Sequence, residues 1–332
     1  MKRNILLTTT FACAAVILNA TVLYVKHDGS GNGTSWQDAL GDLSVAIFLA
    51  QAGDEIWVAQ GTYHPTNDPK NRKASFAIPS GVKVFGGFVG NETTVAQRDF
   101  RRNKTILNGN IGSEHDYADN SYTVVLLKNA DEHTLLDGFI IAGGTANGTG
   151  ASADPERSGA GMYIDGSGEG NRSNPVIQNC VFQDNFARDG AAVYLNGRGG
   201  ECNPSFRNCE FHNNKVDLDG GAVFNDGRHR GMANPSFVNC IFSGNQGNYG
   251  GAICNYGGKG ASNPDIRNCV FRNNEAYLRG GAIFNMDVDG EARPVINDCQ
   301  FIDNQSVAGE QVYTFSKMQQ GRNAVRADYK MN

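Results

Sequence analysis

Apolar positions in this chain rarely hold a helical period. From Asn174 onward they fall in clusters of three to five residues that alternate with polar ones, and the clusters recur. P-V-I-Q-N-C-V-F-Q-D-N from Pro175 returns as P-S-F-R-N-C-E-F-H-N-N from Pro204 and P-S-F-V-N-C-I-F-S-G-N from Pro235. It returns again as P-D-I-R-N-C-V-F-R-N-N from Pro264 and P-V-I-N-D-C-Q-F-I-D-N from Pro294. The repeat cysteines Cys180, Cys209, Cys240, Cys269 and Cys299 lie 29, 31, 29 and 30 residues apart. A fixed period of that size marks stacked supersecondary units. Apolar pieces this short, punctuated by Gly, Pro and Asn, make strands and turns rather than helices. The pattern predicts an all-β chain in which each repeat is one coil of a parallel β-helix.

Alternation assigns the faces. Cys180 and Phe182 are two apart and share a face, whereas Ile177 precedes Cys180 by three, so a bend must fall between them. Asn179 is the bend residue, because Asn tolerates left-handed backbone angles; its equivalents are Asn208, Asn239, Asn268 and Asp298. Coils stacked ~4.8 Å apart would line up an aromatic ladder from Phe182 to Phe301, a cysteine ladder beside it and amide ladders at the bends. Between copies runs a second signature, Gly220-Gly221-Ala222, Gly250-Gly251-Ala252 and Gly280-Gly281-Ala282, with a degenerate form at Gly190-Ala191-Ala192.

The flanks differ. Residues 1–20 carry Lys2 and Arg3, an apolar run from 5 to 18 and then Ala20, the composition of a cleaved secretory signal. Residues 21–53 are expected to cap the β-helix. Ser35 with Asp38 resembles a helix N-cap, and Trp36, Ala39, Leu40, Leu43, Ile47 and Ala50 repeat at helical spacing up to Gly53. Residues 54–306 form the β-helix of about nine or ten coils, irregular up to 145, with insertions at 62–74 and 90–104. Residues 307–332 are too few for a membrane barrel and are expected to cap the far end.

The paired signatures F-x-x-N, as in Phe211 to Asn214, and G-G-A-I, as in Gly250 to Ile253, resemble the repeats of chlamydial polymorphic outer-membrane proteins. More broadly the chain resembles secreted right-handed parallel β-helix proteins of the pectate-lyase-like superfamily. A-G-D-E-I-W-V-A-Q-G-T-Y from Ala52, G-G-F-V-G-N-E-T from Gly86 and Arg98-Asp99-Phe100 are similar to the N-terminal half of secreted Bacteroidetes β-helix proteins. The resemblance implies a right-handed β-helix, but it spans lyases, hydrolases, adhesins and inert shafts.

The net charge of −5 becomes −7 without Lys2 and Arg3. No basic patch points to nucleic acid, and the mature chain has no membrane span. Seven cysteines remain after signal removal. Five share one inward position, where their parallel Cβ vectors suit buried free thiols better than disulfides. No C-x-x-C or histidine cluster suggests a metal.

In the superfamily that the chain resembles, lyases use a Lys or Arg base, usually with calcium, and hydrolases use close carboxylates. The best local cluster precedes the Gly-Gly-Ala strands: Arg188, Asp189, Asp217, Asp219, Tyr249 and Arg279. Stacking would set Asp189 near Asp219. Asp189, Asp219 and Arg279 are therefore the catalytic candidates, and Arg188 and Tyr249 the ligand-binding ones. Turn chemistry accounts for Asp before Gly equally well. Arg228, His229 and Arg230 form a second candidate, able to grip an anionic sugar from a loop tip. The expected function is an exported or cell-surface β-helix, non-catalytic, that binds glycans or another surface protein in an adhesin-like manner or serves as a shaft. The alternative is a polysaccharide lyase or glycoside hydrolase acting on an acidic polysaccharide, its groove walled by the two insertions. No cofactor is expected, except calcium for a lyase.

Overall fold

The computed structural model describes residues 20–113 and 116–316. The expected signal, apart from Ala20, lies outside the described residues, as do His115 and the chain after 316. Three long parallel sheets run along the molecule, a fourth joins them from Thr145 onward, and a two-stranded one, Arg172–Ser173 with Glu201–Cys202, lies beside them. Sheet A has nine strands, from Val22–Val25 to Val295–Asn297, and sheet B has eight, from Gly61–Tyr63 to Gln300–Ile302. Sheet C has eight, from Phe76–Ile78 to Val312–Ser316, and sheet D has six short ones, from Thr145–Ala146 to Gln305–Ser306. One regular coil visits them in the order A, B, D, C: Val176–Gln178, Val181–Gln183, Phe186–Ala187, Val193–Asn196, then Ser205–Arg207 of the next. The all-β parallel β-helix with one short helix near its start is thus the observed fold.

The bends fall at the expected residues. Asn179, Asn208, Asn239, Asn268 and Asp298 all have φ between 52 and 56°. Phe182, Phe211, Phe242, Phe271 and Phe301 stack with ring centroids 5.1, 4.5, 4.7 and 5.0 Å apart. The cysteines stand beside them as free thiols, four buried and Cys299, on the last coil, half-buried.

Amide ladders run along the shaft beyond the bends as well, among them Asn225 to Asn255 to Asn285 in sheet C at 2.6 and 2.7 Å. On the outside, Asn239 donates to Asn208 and Asn208 to Asn179 at 3.2 and 3.3 Å. On the inside run Asn185, Asn214, Asn245, Asn274 and Asn304, the last letters of F-x-x-N, all buried. From Asn185 to Asn274 each Nδ2 donates to the next coil's Oδ1 at 2.7–3.0 Å, and that oxygen also takes the backbone N–H of the same donor residue; Asn304 Nδ2 ends the run on Gln311 Oε1. These side chains close the corner between sheets B and D, where backbone pairing lapses.

The Gly-Gly-Ala signature has two separate causes. Gly220, Gly250 and Gly280 have φ of 67–68°. At the second glycine, a Cβ on Gly251 would stand 2.3 Å from the carbonyl oxygen of Gly281.

The cap departs from expectation in detail. Its helix spans Leu43–Leu49 and is capped by Asp42, whose Oδ1 accepts from Ser44 N at 2.7 Å. Ser35 accepts from Asp38 N in a turn instead. Leu40 is drawn into extended pairing with the first strand, through Leu40 N to Tyr24 O at 2.9 Å and Lys26 N to Leu40 O at 3.0 Å, so helix cannot begin earlier. That first strand is itself the outermost rung of sheet A.

The insertions anchor on different sides, which corrects the expectation of a shared groove. Arg72 of the first reaches Asn120 O at 2.6 Å and Thr145 O at 3.0 Å, and Lys73 pairs with Glu156. The second lies over sheet A. There Trp36 Nε1 donates to Glu92 O, and the Arg98 guanidinium is buried against Asp137, between Phe85 and Phe100. Asp137 also accepts from Gln178 and from Asn179, both at 2.8 Å, so this carboxylate ends the outer amide ladder.

Candidate functional site

Sheet C turns one set of side chains outward: Tyr163, Tyr194, Phe224, Cys254, Phe284 and Tyr313 on successive coils. Tyr163, Tyr194 and Phe224 stack at 5.4 and 5.3 Å. Cys254 interrupts the stripe. Over this stripe the structure brings together most of the residues singled out from sequence.

Asp189, Asp219, Tyr249 and Arg279 occupy one position on successive coils. Gly190, Gly220 and Gly250 each donate to the carbonyl of the next of these residues, at 3.1, 2.9 and 3.1 Å. Asp189 and Asp219 are only 7% and 8% exposed. Asp189 accepts from Asp219 N at 3.3 Å and faces Arg188 at 3.4 Å. Burial pushes the Asp189 carboxyl up to about 6, against the pull of Arg188 and Arg228. Arg188 also donates to Ser152 Oγ, in the 145–161 loop that folds over the stripe's start. Tyr249 packs on Phe284 at 4.7 Å. Arg279 stands apart at the stripe's far end, paired with Glu310 at 2.9 Å above Tyr313.

Arg228 does not project from its loop. It grips Asp226 through Nε and Nη2, both at 2.7 Å, and lies 4.6 Å over the Tyr256 ring. Asp226 is fully buried and also accepts from Tyr194 Oη, with Arg198 Nε at 3.4 Å. His229 and Arg230 are exposed, with φ of 62 and 67°. His229 Nε2 lies 3.0 Å from Arg198 Nη2. Arginine can only donate, so that nitrogen carries no proton. Partial burial and the charges of Arg198 and Arg228 lower this imidazole's pKa.

Asp226, Tyr194 and Arg198 were not singled out from sequence. Their signal is the recurrence of Gly-Arg at 197–198 and 227–228, one coil apart, after Asn196 and Asp226. Among the described residues, no group of three or more His, Cys, Asp and Glu converges to hold a metal ion.

Comparison with known proteins bears on the fold. The right handed beta helix region profile matches residues 158–325, just over half of the chain. The chain belongs to the right-handed β-helix family. No curated protein matches it. Among solved structures, a pectate lyase, Pel9A, is similar over 89% of this chain and 74% of its own, at 14% identity and a TM-score of 0.48. A rhamnogalacturonan lyase is similar over 82% and 75%, at 14% identity and a TM-score of 0.42. Neither likeness bears on activity.

Proposed function

We propose that this protein is an exported or cell-surface β-helix that binds an acidic glycan, or another surface, without turning it over. One observation carries the reading: Asp189, Asp219 and Asp226 are buried and Asp217 is the exposed carboxylate of the cluster, whereas three cationic or imidazole side chains, His229, Arg230 and Lys259, face solvent around Asp226. A carboxylate that cleaves a sugar must reach it; a cation that holds a uronate need only be exposed. Arg230 and Lys259 are neighbours on successive coils, joined by a hydrogen bond from Arg230 N to Lys259 O, so two positive charges are presented along the shaft. The repeated, short-looped coils support the adhesin-like reading for the same reason, since a stacked surface offers the same spacing to a repeating polymer.

Retention on immobilised acidic polysaccharides, lost in Arg230→Glu/Lys259→Glu and accompanied by no new reducing or unsaturated ends, is the expected result. Product that accumulates with wild type and disappears in Asp189→Asn/Asp219→Asn would establish the lyase or hydrolase reading instead. That alternative is favoured by the Asp189 carboxyl, whose pKa near neutrality suits acid–base work.

A further inference from the structure

The cysteine ladder has no part in that reading. Cys180, Cys209, Cys240 and Cys269 are fully buried, and Cys299 opens toward the end of the described β-helix. No side chain separates them along the axis: Cys240 N lies 3.4 Å from Cys269 Sγ, and Cys269 N lies 3.4 Å from Cys299 Sγ. Each thiol leans on a carbonyl of the preceding coil, as Cys209 does on Ile177 O at 3.5 Å and Cys269 on Phe237 O at 3.5 Å. Equivalent sulfurs therefore repeat at the strand spacing, about 4.7–4.9 Å.

Metal–thiolate bonds are about 2.3 Å long, so a linear sulfur–metal–sulfur unit spans ~4.6 Å. That matches one gap of the ladder. Each gap offers two sulfurs and no third ligand, which excludes ions that demand a tetrahedral set, zinc above all. Soft thiolates select soft ions. An apolar core tolerates a neutral unit and rejects a charged one; two thiolates neutralise a divalent ion, whereas a monovalent one leaves a net negative charge. We infer that the inner cysteine ladder is a binding site for soft, divalent, linearly coordinated d10 ions, of which the mercuric ion is the type.

Binding breaks two S–H bonds and forms two sulfur–metal bonds, and two protons leave to solvent. Entry is at Cys299, the half-buried end. Pairs cannot share a sulfur in a neutral unit, so five thiols in a row take two ions: Cys269 with Cys299, and Cys209 with Cys240.

This arrangement makes a parity prediction. Removing Cys240 leaves two adjacent pairs, and two ions still bind. Removing Cys269 leaves Cys180, Cys209 and Cys240 in one run with Cys299 isolated, and one ion is lost. The full chain, titrated with mercuric acetate and counted by native mass spectrometry, is expected to give Cys240→Ala the wild-type uptake and Cys269→Ala one ion fewer. X-ray absorption is expected to report two sulfurs at about 2.3 Å per ladder ion. Both alanine variants are equally buried, so a general loss of fold would affect them alike, and circular dichroism checks that each remains folded. Equal uptake by the two variants, a single sulfur per ion, or no uptake by the folded wild type overturns the inference.

Discussion

Replacing Asn274 by alanine tests whether the inner amide ladder holds the coils together. Asn274 Nδ2 donates to Phe242 O at 3.0 Å and to Asn304 Oδ1 at 2.7 Å. Its Oδ1 accepts from Asn245 N at 3.1 Å and from Asn245 Nδ2 at 2.9 Å. Alanine removes all four. Asn304 Oδ1 keeps the Asn274 backbone N–H, and Asn245 Nδ2 keeps Phe211 O at 2.9 Å. The Asn245 N–H loses its acceptor inside the protein. A buried unsatisfied donor costs about 1–3 kcal/mol and each of the three further lost bonds about 1 kcal/mol, so the variant should lose about 4–6 kcal/mol. The outer ladder supplies the control. Asn208 is exposed, so Asn208→Ala gives up bonds that water replaces and pays mainly for an alanine at φ 52°, about 1–2 kcal/mol. Urea unfolding followed by circular dichroism separates the two. The double variant Asn245→Ala/Asn274→Ala should lose less than the sum of its singles, because the bonds between them are counted twice. If Asn274→Ala costs no more than Asn208→Ala, the inner ladder is not what joins the coils.

Three other outcomes follow. Arg98→Ala leaves Asp137 buried without its cation and should cost about 3–5 kcal/mol by thermal unfolding, with Asp137→Asn/Arg98→Met recovering much of it. Gly251→Ala puts a methyl against the Gly281 carbonyl and should cost more than about 2 kcal/mol, whereas Ala252→Gly in the same signature should cost about 1 kcal/mol. The Asp189 carboxyl, at about 6 in the fold and 3.8 otherwise, binds more protons folded than unfolded between those values. Stability should therefore fall by up to about 3 kcal/mol as pH rises from about 4 to 6, and flatten above. A melting-temperature series in which Asp189→Asn shows the same slope as wild type would contradict this.

Much of the fold is legible because the period repeats its own evidence. Cys180 and Ile177 fix a bend at Asn179 by parity alone, and five copies leave one architecture. The inner ladder is written in the same letters, yet Asn214 reads as turn chemistry, since nothing in a sequence tells whether an amide at a corner points to water or to the next coil. The helix start was misplaced for a similar reason. Helical spacing from Trp36 is real, but Leu40 is claimed by pairing with the strand at Val22–Val25, a contact that spacing does not contain. At the candidate site, stacking of Asp189 on Asp219 follows from the period, while the burial of Arg228 depends on Asp226, Tyr256 and the tilt of a loop.

The two ends of this molecule resist load differently. Near its beginning, Arg98 ties an insertion across several coils and Asp137 pins the first bend amides. On the last described coil, Ile296, Cys299 and Phe301 are only partly buried against the core. Tension across the regular described coils would therefore separate them singly, whereas tension across the first coils must first break the ion pair and the aromatic packing together. Pulled along its axis, the shaft would yield among its regular coils while its first ones held.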